Sequence, residues 1–365
     1  MIKIFKDKDL KQLSYILSDS NEALIIDPKR DIGKYVNYLK KHSLKLKYII
    51  NTHPHADFIS GDLELKKIFK DAEIFDFEER EEKLGNLTIK TIKTPGHTPY
   101  CISCIVKEKV DRFIFTGDFL MVSDMGRIDL LGEENIQNLY EMFIKSAEKL
   151  WKLDDGVIVF PAHYKGSFCA KELNENFITT IGIEKKTNRI FSNIHSQDAK
   201  TLIKTSFEKP LFASKLPKFN LAKKRPSKKC KKVSVIVDLR KPEKFIKKHV
   251  KNSINIYEKA NLPYILGSLV EIDECIGLIG DKKTNFKKAV KRLKNVGFDK
   301  IKILGNIKHF KTVPFKRYKT KMYLDKVHLP KLLKYKDKKI SFYCENGYKA
   351  LAAESFLRRL NEDNS

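Results

Sequence analysis

The chain has 365 residues, of which 42% are hydrophobic and 33% are charged, so it is long enough for two or three domains with ordinary cores. Its six cysteines are too sparse for a disulfide scaffold, and in a reducing compartment we expect all six to be thiols. The net charge of +27 comes from lysines scattered through every predicted element, which argues against a nucleic-acid-binding stripe but predicts a surface that attracts small anions.

The beginning of the chain resembles a first strand and not a targeting signal. Residues 1–7 alternate apolar and polar side chains, and no basic stretch followed by an apolar run is present. No segment approaches the roughly 18 consecutive apolar residues that a membrane-spanning helix needs. We therefore expect a cytoplasmic protein without a membrane span.

Short apolar runs alternate with helical patterns over the first part of the chain, as in α/β proteins. Strands are predicted at residues 23–27, 48–51, 113–115 and 157–160. Apolar residues at helical spacing predict a helix over 136–150. Polar groups follow the strands repeatedly, and the carboxyl edge of a sheet is where α/β proteins place ligands.

Six polar side chains at or just after strand ends make up a set of potential metal ligands. In chain order they are His53, His55, Asp57, His97, Asp118 and His163. A single His-x-His pair is more often a surface or core pair, but the ordered set predicts a metal centre. Imidazole and carboxylate together suit zinc or Fe(II).

This ordered set resembles the metallo-β-lactamase superfamily, and the resemblance covers residues 1 to about 215. It implies an αββα sandwich in which two sheets lie between outer helices. The dinuclear zinc hydrolases of the superfamily carry a histidine directly after the loop aspartate, where this chain has Phe58. One ligand of the second metal position is therefore missing, which favours a single metal ion.

The persulfide dioxygenases of the superfamily hold one iron on the first loop histidine, the Pro-Gly-His histidine and the strand-end aspartate. Carried over, the resemblance implies that His53, His97 and Asp118 bind one Fe(II) per chain, with zinc as the alternative. The other three residues would support these ligands through hydrogen bonds, although metal binding by them stays open. Those residues are His55, Asp57 and His163.

Three segments resemble the bacterial persulfide dioxygenases that are fused to rhodanese domains. They are residues 52–61 (THPHADFISG), 166–169 (GSFC) and 180–188 (TIGIEKKTN). That group has a cysteine at the position of Cys169, which implies either a thiol that carries persulfide sulfur or a small buried packing residue. Arg127 and Asp129 match the family's Gly-Arg-x-Asp segment, and we expect an ion pair that braces the loop more than a substrate contact.

A second α/β unit follows a basic stretch. The predicted organisation is a metal-binding domain at 1–215, a linker at 216–232, a rhodanese-like domain at 233–315 and a partial rhodanese segment at 316–365. Residues 235–240 and 249–256 resemble the opening half of a rhodanese domain. The next strand, 276–279, leads to Asp281 where an active rhodanese has its cysteine, so the unit is expected to be degenerate.

Cys344 follows the last predicted strand, 340–343, in a loop that resembles a rhodanese active-site loop and precedes a helix at 350–360. Backbone N–H groups of such a loop would lower the pKa of a thiol and bind an anionic persulfide. The opening and closing strands of a complete rhodanese domain are not recognisable. We therefore expect a truncated segment, and both a functional and a vestigial Cys344 stay open.

The resemblance implies that the enzyme oxidises a low-molecular-weight thiol persulfide, of the glutathione, coenzyme A or bacillithiol type, with O₂ to sulfite or thiosulfate. Cys344 would add rhodanese-type sulfur transfer. The alternative function is a zinc thioester hydrolase of the glyoxalase II type, but Phe58 argues against it because it removes a ligand of the second metal. A third possible function is that of a non-catalytic sulfur carrier. The expected partners are the small persulfide and O₂, without nucleic acid or membrane, and a homo-oligomer stays open.

Overall fold

The structure is a computed structural model that describes residues 1–130, 133–164, 169, 175–196, 209–315, 319–324, 332–338, 341–344 and 347–362. The chain forms two compact units. The first comprises Met1–Phe207 and Leu216–Lys223, and the second comprises Glu208–Lys215 and Lys224–Ser365. Among the residues described, no helix combines the length and apolar character that crossing a membrane requires.

Two sheets form the centre of the first unit. The strands of the first sheet are β1 (Ile2–Asp7), β2 (Gln12–Asp19), β3 (Glu22–Ile26), β4 (Lys45–Ile50) and β5 (Glu73–Phe75), in that spatial order. The other strands are β6 (Glu81–Leu84), β7 (Leu87–Lys93), β8 (Ile102–Lys107), β9 (Asp111–Gly117), β10 (Leu120–Met121), β11 (Asp124–Met125), β12 (Ile158–Pro161) and β13 (Thr179–Thr180). The second sheet has the order β13-β12-β9-β8-β7-β6, and β10 pairs with β11.

Aromatic and branched side chains fill the space between the two sheets. The ring of Tyr15 lies 5.0 Å from that of Phe115 and 5.6 Å from that of Phe160, centroid to centroid, in edge-to-face contacts. Within the described part of this sandwich there are four helices: α1 (Gly33–Lys41), α2 (Asp62–Ile68), α3 (Ile136–Trp151) and α4 (Ile181–Thr187). Apolar residues of α1 and α2 pack on the outer face of the first sheet, and those of α3 and α4 on the second. The predicted αββα sandwich is confirmed.

The predicted linker contains a short helix, α5 (Leu216–Leu221), that belongs to the first unit. The second unit is built on a parallel sheet of β14 (Val235–Asp238), β15 (Ser253–Asn255), β16 (Ile276–Gly280) and β17 (Ile301–Asn306), in the order β15-β14-β16-β17. Its described helices are α6 (Pro242–Lys247), α7 (Leu262–Gly267), α8 (Phe286–Asn295) and α9 (Tyr348–Glu362). Parallel strands joined by helices are the expected rhodanese-like arrangement.

The partial rhodanese segment packs on this unit through its helix. The strands β18 (Lys321–Tyr323) and β19 (Ser341–Tyr343) form a two-stranded parallel sheet. The backbone N–H of Asn255 on β15 donates to Ser355 Oγ on α9 at 3.1 Å, and both residues are buried. Leu351 adds apolar contact with Phe245 and Phe315. The parallel sheet of the second unit thus contacts the helix that follows Cys344.

Two of the six cysteines form a disulfide, so the expectation of six thiols is wrong for Cys230 and Cys275. Ser234, just before β14, is hydrogen-bonded to Cys275, just before β16. The N–H of Ser234 donates to the carbonyl of Cys275 at 2.9 Å, and Ser234 Oγ accepts the N–H of Cys275 at 3.0 Å. This places the Cα atoms of the cysteine pair 5.5 Å apart, within the usual range for a disulfide. The other four cysteines, Cys101, Cys104, Cys169 and Cys344, are thiols and not part of a disulfide.

Candidate metal centre

Three buried polar side chains meet where strands of the two sheets end. His53 follows β4, His97 follows β7, and Asp118 follows β9. The Oδ2 atom of Asp118 lies 3.4 Å from Nε2 of His53 and 3.7 Å from Nε2 of His97. One potential ligand atom from each residue lies within 4.8 Å of the others, so all three can reach one ion.

Whether a metal ion fits this group can be judged from the polar atoms that have no hydrogen-bond partner. Nε2 of His53, Nε2 of His97 and Oδ2 of Asp118 are all buried without a hydrogen-bond partner. The other imidazole nitrogens are engaged: Nδ1 of His53 lies 3.0 Å from Thr52 Oγ1, and Nδ1 of His97 lies 2.7 Å from the carbonyl of Arg127. Buried polar atoms without partners are destabilising, and a cation between the three would satisfy all of them at once.

Two glycines bring the ligand loops this close together. At Gly96, which has a φ of +152°, a Cβ atom would lie 2.8 Å from backbone and side-chain atoms of Phe143 on α3. At Gly117, with a φ of +58°, a Cβ atom would lie 2.3 Å from Thr52 Oγ1. Any other residue would therefore push the Pro-Gly-His loop or the Asp118 turn out of place.

His163 bridges two carboxylates at the centre. Its Nδ1 lies 2.6 Å from Oδ1 of Asp118, and its Nε2 lies 2.9 Å from Oδ2 of Asp57. Burial alone would lower the pKa of His163, but the charges of Asp118 and Asp57 outweigh burial and raise this pKa well above its usual value. A protonated His163 would donate from both nitrogens, one to Asp118 and one to Asp57.

Nδ1 of His55 is a further buried atom without a hydrogen-bond partner, as is Oδ1 of Asp57. Nε2 of His55 lies 3.0 Å from Oδ1 of Asp27, and the His55 ring stacks on Phe58 at 4.0 Å between centroids. The Asp27 carboxylate also accepts the N–H and the hydroxyl of Thr52, at 2.7 and 2.8 Å. Asp27 thus orients both ends of the His-x-His segment, a role we did not predict although Asp27 ends a predicted strand like the other site residues.

A second residue that sequence reasoning missed is Asn220 on α5. Its Nδ2 donates to the carbonyls of His55 and Phe58, and its Oδ1 accepts the N–H of Ser60, each at 2.9 Å. No local pattern marks Asn220 as part of the site.

The two predicted catalytic cysteines lie in different units. Cys169 is buried, and its Sγ lies within 4.8 Å of potential ligand atoms of Asp118 and His163. Cys344 belongs to the second unit, is half-buried, and accepts a hydrogen bond from the N–H of Ala350 at 3.4 Å. Residues 166–168 of the predicted GSFC segment and residues 345–346 of the Cys344 loop lie outside the described residues.

The expected Arg127–Asp129 ion pair is present. Arg127 Nε donates to Asp129 Oδ1 at 2.6 Å, and Nη2 donates to Oδ2 at 2.5 Å. The carbonyl of Arg127 faces His97, and its N–H donates to the carbonyl of Cys169 at 3.0 Å. The pair therefore braces the backbone that orients His97.

Comparison with known families agrees with this geometry. Residues 8–75 and 69–163 match the metallo-beta-lactamase superfamily, and residues 221–312 match the rhodanese-like domain. The chain combines a metallo-β-lactamase domain with a C-terminal rhodanese-like domain. A crystal structure of a metallo-beta-lactamase from Staphylococcus aureus is similar over 84% of this chain and 98% of that one, with a TM-score of 0.74 and 30% sequence identity.

Curated proteins similar to the metallo-β-lactamase domain are of two kinds. A hydroxyacylglutathione hydrolase from Francisella philomiragia is 30% identical over 173 residues, which cover 44% of this chain and 65% of the hydrolase. The mitochondrial persulfide dioxygenase ETHE1 of Mus musculus is 30% identical over 165 residues, which cover 41% of this chain and 63% of ETHE1. The chain thus spans just under two thirds of the length of these relatives. These similarities show the superfamily but do not separate oxidoreductase from hydrolase.

Proposed function

We propose that this protein is a persulfide dioxygenase that uses one Fe(II) per chain. The reaction consumes a low-molecular-weight thiol persulfide, RSSH, together with O₂ and water, and yields RSH and sulfite. The outer sulfur is oxidised, and O₂ is the oxidant that is reduced. The observation that carries the proposal is the set of three orphaned ligand atoms for one ion, with an apolar ring at the adjacent position.

His53, His97 and Asp118 would hold the iron as a two-histidine, one-carboxylate face. When bound, Fe(II) supplies an open coordination face and redox chemistry that the side chains lack. The carboxylate of Asp118 would have two tasks, since Oδ2 has no hydrogen-bond partner and would bind the ion, whereas Oδ1 accepts from His163. The hydrogen bond from cationic His163 keeps Asp118 ionised and fixes its rotation.

A second metal ion is disfavoured by the residues around the first. Asp57 and His163, which would have to help bind it, are hydrogen-bonded to each other at 2.9 Å. Phe58 is fully buried and offers a ring without a donor atom. Since dinuclear hydrolases need two ions, these contacts favour the mononuclear oxygenase.

Cys169 is the thiol that we place beside the reacting persulfide. Its Sγ lies within 4.8 Å of potential ligand atoms of Asp118 and His163. The alternative role, a small buried packing residue, predicts no effect of Cys169→Ser on turnover. Cys344 would act separately, as an acceptor or donor of sulfur when thiosulfate is formed from persulfide and sulfite.

The alternative function is a zinc thioester hydrolase, which the equal identity to the Francisella hydrolase supports. Protein purified without oxygen should be analysed for metal and then assayed for O₂ consumption with glutathione persulfide. A parallel assay should follow hydrolysis of a hydroxyacylglutathione thioester. We expect about one iron per chain and O₂ consumption; two zinc ions per chain with thioester hydrolysis and no O₂ uptake would establish the hydrolase instead.

A further inference from the structure

The second unit contains a basic cavity that is lined neither by Cys344 nor by the proposed metal ligands. The cavity has a volume of about 330 Å³ and lies between α9, the turn after α6 and the segment around Phe315. The polar residues that line it include His249, Lys251, Ser253, Ser355, Arg358 and Arg359. Among its described lining residues there is no carboxylate.

Arginine is more frequent relative to lysine at this cavity than in the chain as a whole. The chain has 62 lysines and only 11 arginines, yet two consecutive arginines of α9 line the cavity. Hydrogen bonds hold each guanidinium in place: Arg358 Nη2 donates to Glu354 at 2.8 Å, and Arg359 Nη2 donates to the carbonyl of Ser234 at 2.9 Å. Planar guanidinium groups bind oxyanions through paired N–H donors, which a lysine cannot do.

His249 adds a buried polar atom to this cavity. The residue is only 8% exposed, and its Nδ1 has no hydrogen-bond partner. Its ring is fixed between Phe245, stacked at 4.4 Å, and Phe315, edge-on at 5.3 Å, while Arg358 lies over Phe315 at 4.0 Å. In the tautomer that carries its proton on Nδ1, a neutral imidazole held this rigidly could donate one hydrogen bond to an oxyanion bound beside the two arginines.

The electrostatic environment of His249 agrees with an anion site. Burial, together with the positive charges of Arg358 and Arg240, lowers the pKa of His249 to about 4. Glu354 offsets part of the charge of Arg358 but does not line the cavity. The interior of the cavity is therefore at positive potential, which an anion would relieve.

We propose that this cavity binds a tetrahedral oxyanion, either a phosphate group or a sulfur oxyanion such as sulfite or thiosulfate. The cavity is concave and small, so it suits a small molecule or its charged end better than an extended polymer. This site requires neither the metal centre nor Cys344, and its existence does not depend on the proposed dioxygenase activity.

The proposal can be tested by calorimetric titration of the full-length, metal-loaded protein at constant ionic strength. The probes are inorganic phosphate, sulfite and thiosulfate, with phosphate first, and competition between them should show that they share one site. Tightest binding of phosphate would support a phosphate-bearing ligand, and at least tenfold tighter binding of sulfite or thiosulfate would support a sulfur oxyanion. Absence of saturable binding of all three at millimolar concentrations would overturn the proposal.

Variants locate the site. Arg359→Gln and His249→Gln should each weaken binding at least tenfold, whereas Lys287→Gln on α8 should change the Kd less than twofold, although it removes the same charge as Arg359→Gln. Circular dichroism should show that each variant is folded. If Arg358→Gln unfolds because Arg358 packs on Phe315, the other two variants still decide. If Lys287→Gln and Arg359→Gln weakened anion binding equally, the effect would come from the net charge of the protein, and the proposed site would be contradicted.

Discussion

The side chain of Asn220 holds the backbone of Phe58 in place. Asn220 Nδ2 donates to the carbonyl of Phe58 at 2.9 Å, across 162 positions of the chain. The same amide group also donates to the carbonyl of His55 and accepts the N–H of Ser60, so one buried side chain satisfies three polar backbone groups of the loop that carries His53. The neighbouring Lys223 pairs with Asp62 at 2.9 Å just beyond that loop. The helix α5 therefore determines the shape of a loop that carries the first predicted metal ligand.

Replacement of Asn220 by alanine should loosen this loop. The variant leaves three buried backbone groups without partners, and each such group destabilises by about 1–3 kcal/mol before relaxation. We expect a lower melting temperature and less than half the metal content of the natural chain, measured by thermal unfolding and elemental analysis. Asn193→Ala, at an exposed position of the same unit, is the control. Unchanged metal content in Asn220→Ala would show that the loop keeps its shape without the amide.

The three proposed ligands should be individually necessary. His53→Ala, His97→Ala and Asp118→Ala each remove one of the orphaned atoms that face a common point, so each variant should lose most of its iron and most of its activity. His195→Ala, which removes an exposed histidine of the same unit, should retain both. Full iron occupancy in His97→Ala would contradict the ligand assignment.

Phe58 should keep the centre mononuclear. The natural chain should bind about one ion when no excess metal is present, because Phe58 offers no donor and stacks on His55. Phe58→His restores a donor at that position, so zinc binding should rise above one ion per chain in equilibrium dialysis. Phe58→Leu, which keeps the position apolar, should stay at one. Two ions bound by the natural chain would refute this role.

The three residues that could hold a metal ion could be predicted to lie together because each follows an apolar strand within a few residues. His97 is an example, since β7 and the Pro-Gly turn that precede it can both be recognised from the residues within them. Asn220 could not be predicted, because its three hydrogen bonds depend on how α5 packs and not on any pattern around it. The Cys230–Cys275 disulfide was missed for the same reason, since a shared contact at Ser234 brings together cysteines 45 positions apart.

Acid should weaken the second unit through His249. Its folded pKa of about 4 lies below the ordinary value of 6.5, so the unfolded chain binds more protons between these pH values. Stability therefore falls as the pH drops from 6.5 toward 4, by up to about 1.4 kcal/mol per pH unit. The charged groups that lower this pKa, Arg358 and Arg240, do not titrate in this range. Urea unfolding at several pH values should show that the free energy of unfolding depends less on pH in His249→Phe than in the natural chain. The exposed His309→Phe should keep the dependence of the natural chain. The same pH dependence in His249→Phe and the natural chain would contradict the assignment to His249.

The two cysteines should separate oxygenation from sulfur transfer. Cys344 belongs to the second unit, whereas the three proposed metal ligands belong to the first, so Cys344→Ala removes no atom near the metal. We expect Cys344→Ala to bind iron and consume O₂ with a small persulfide like the natural chain, and to lose only thiosulfate formation from persulfide and sulfite. Unchanged thiosulfate formation would make Cys344 vestigial.

Cys169→Ser should behave in the opposite way, because Sγ of Cys169 lies within 4.8 Å of potential ligand atoms of Asp118 and His163. O₂ consumption should fall while the iron content is kept, since serine preserves the size of the side chain but not its reactivity toward persulfide sulfur. Cys104→Ser, which changes a buried cysteine on β8, controls for the effect of a buried hydroxyl alone. Equal turnover in Cys169→Ser and the natural chain would leave Cys169 as a packing residue, while a fall in iron content would mean that its loop shapes the metal site instead.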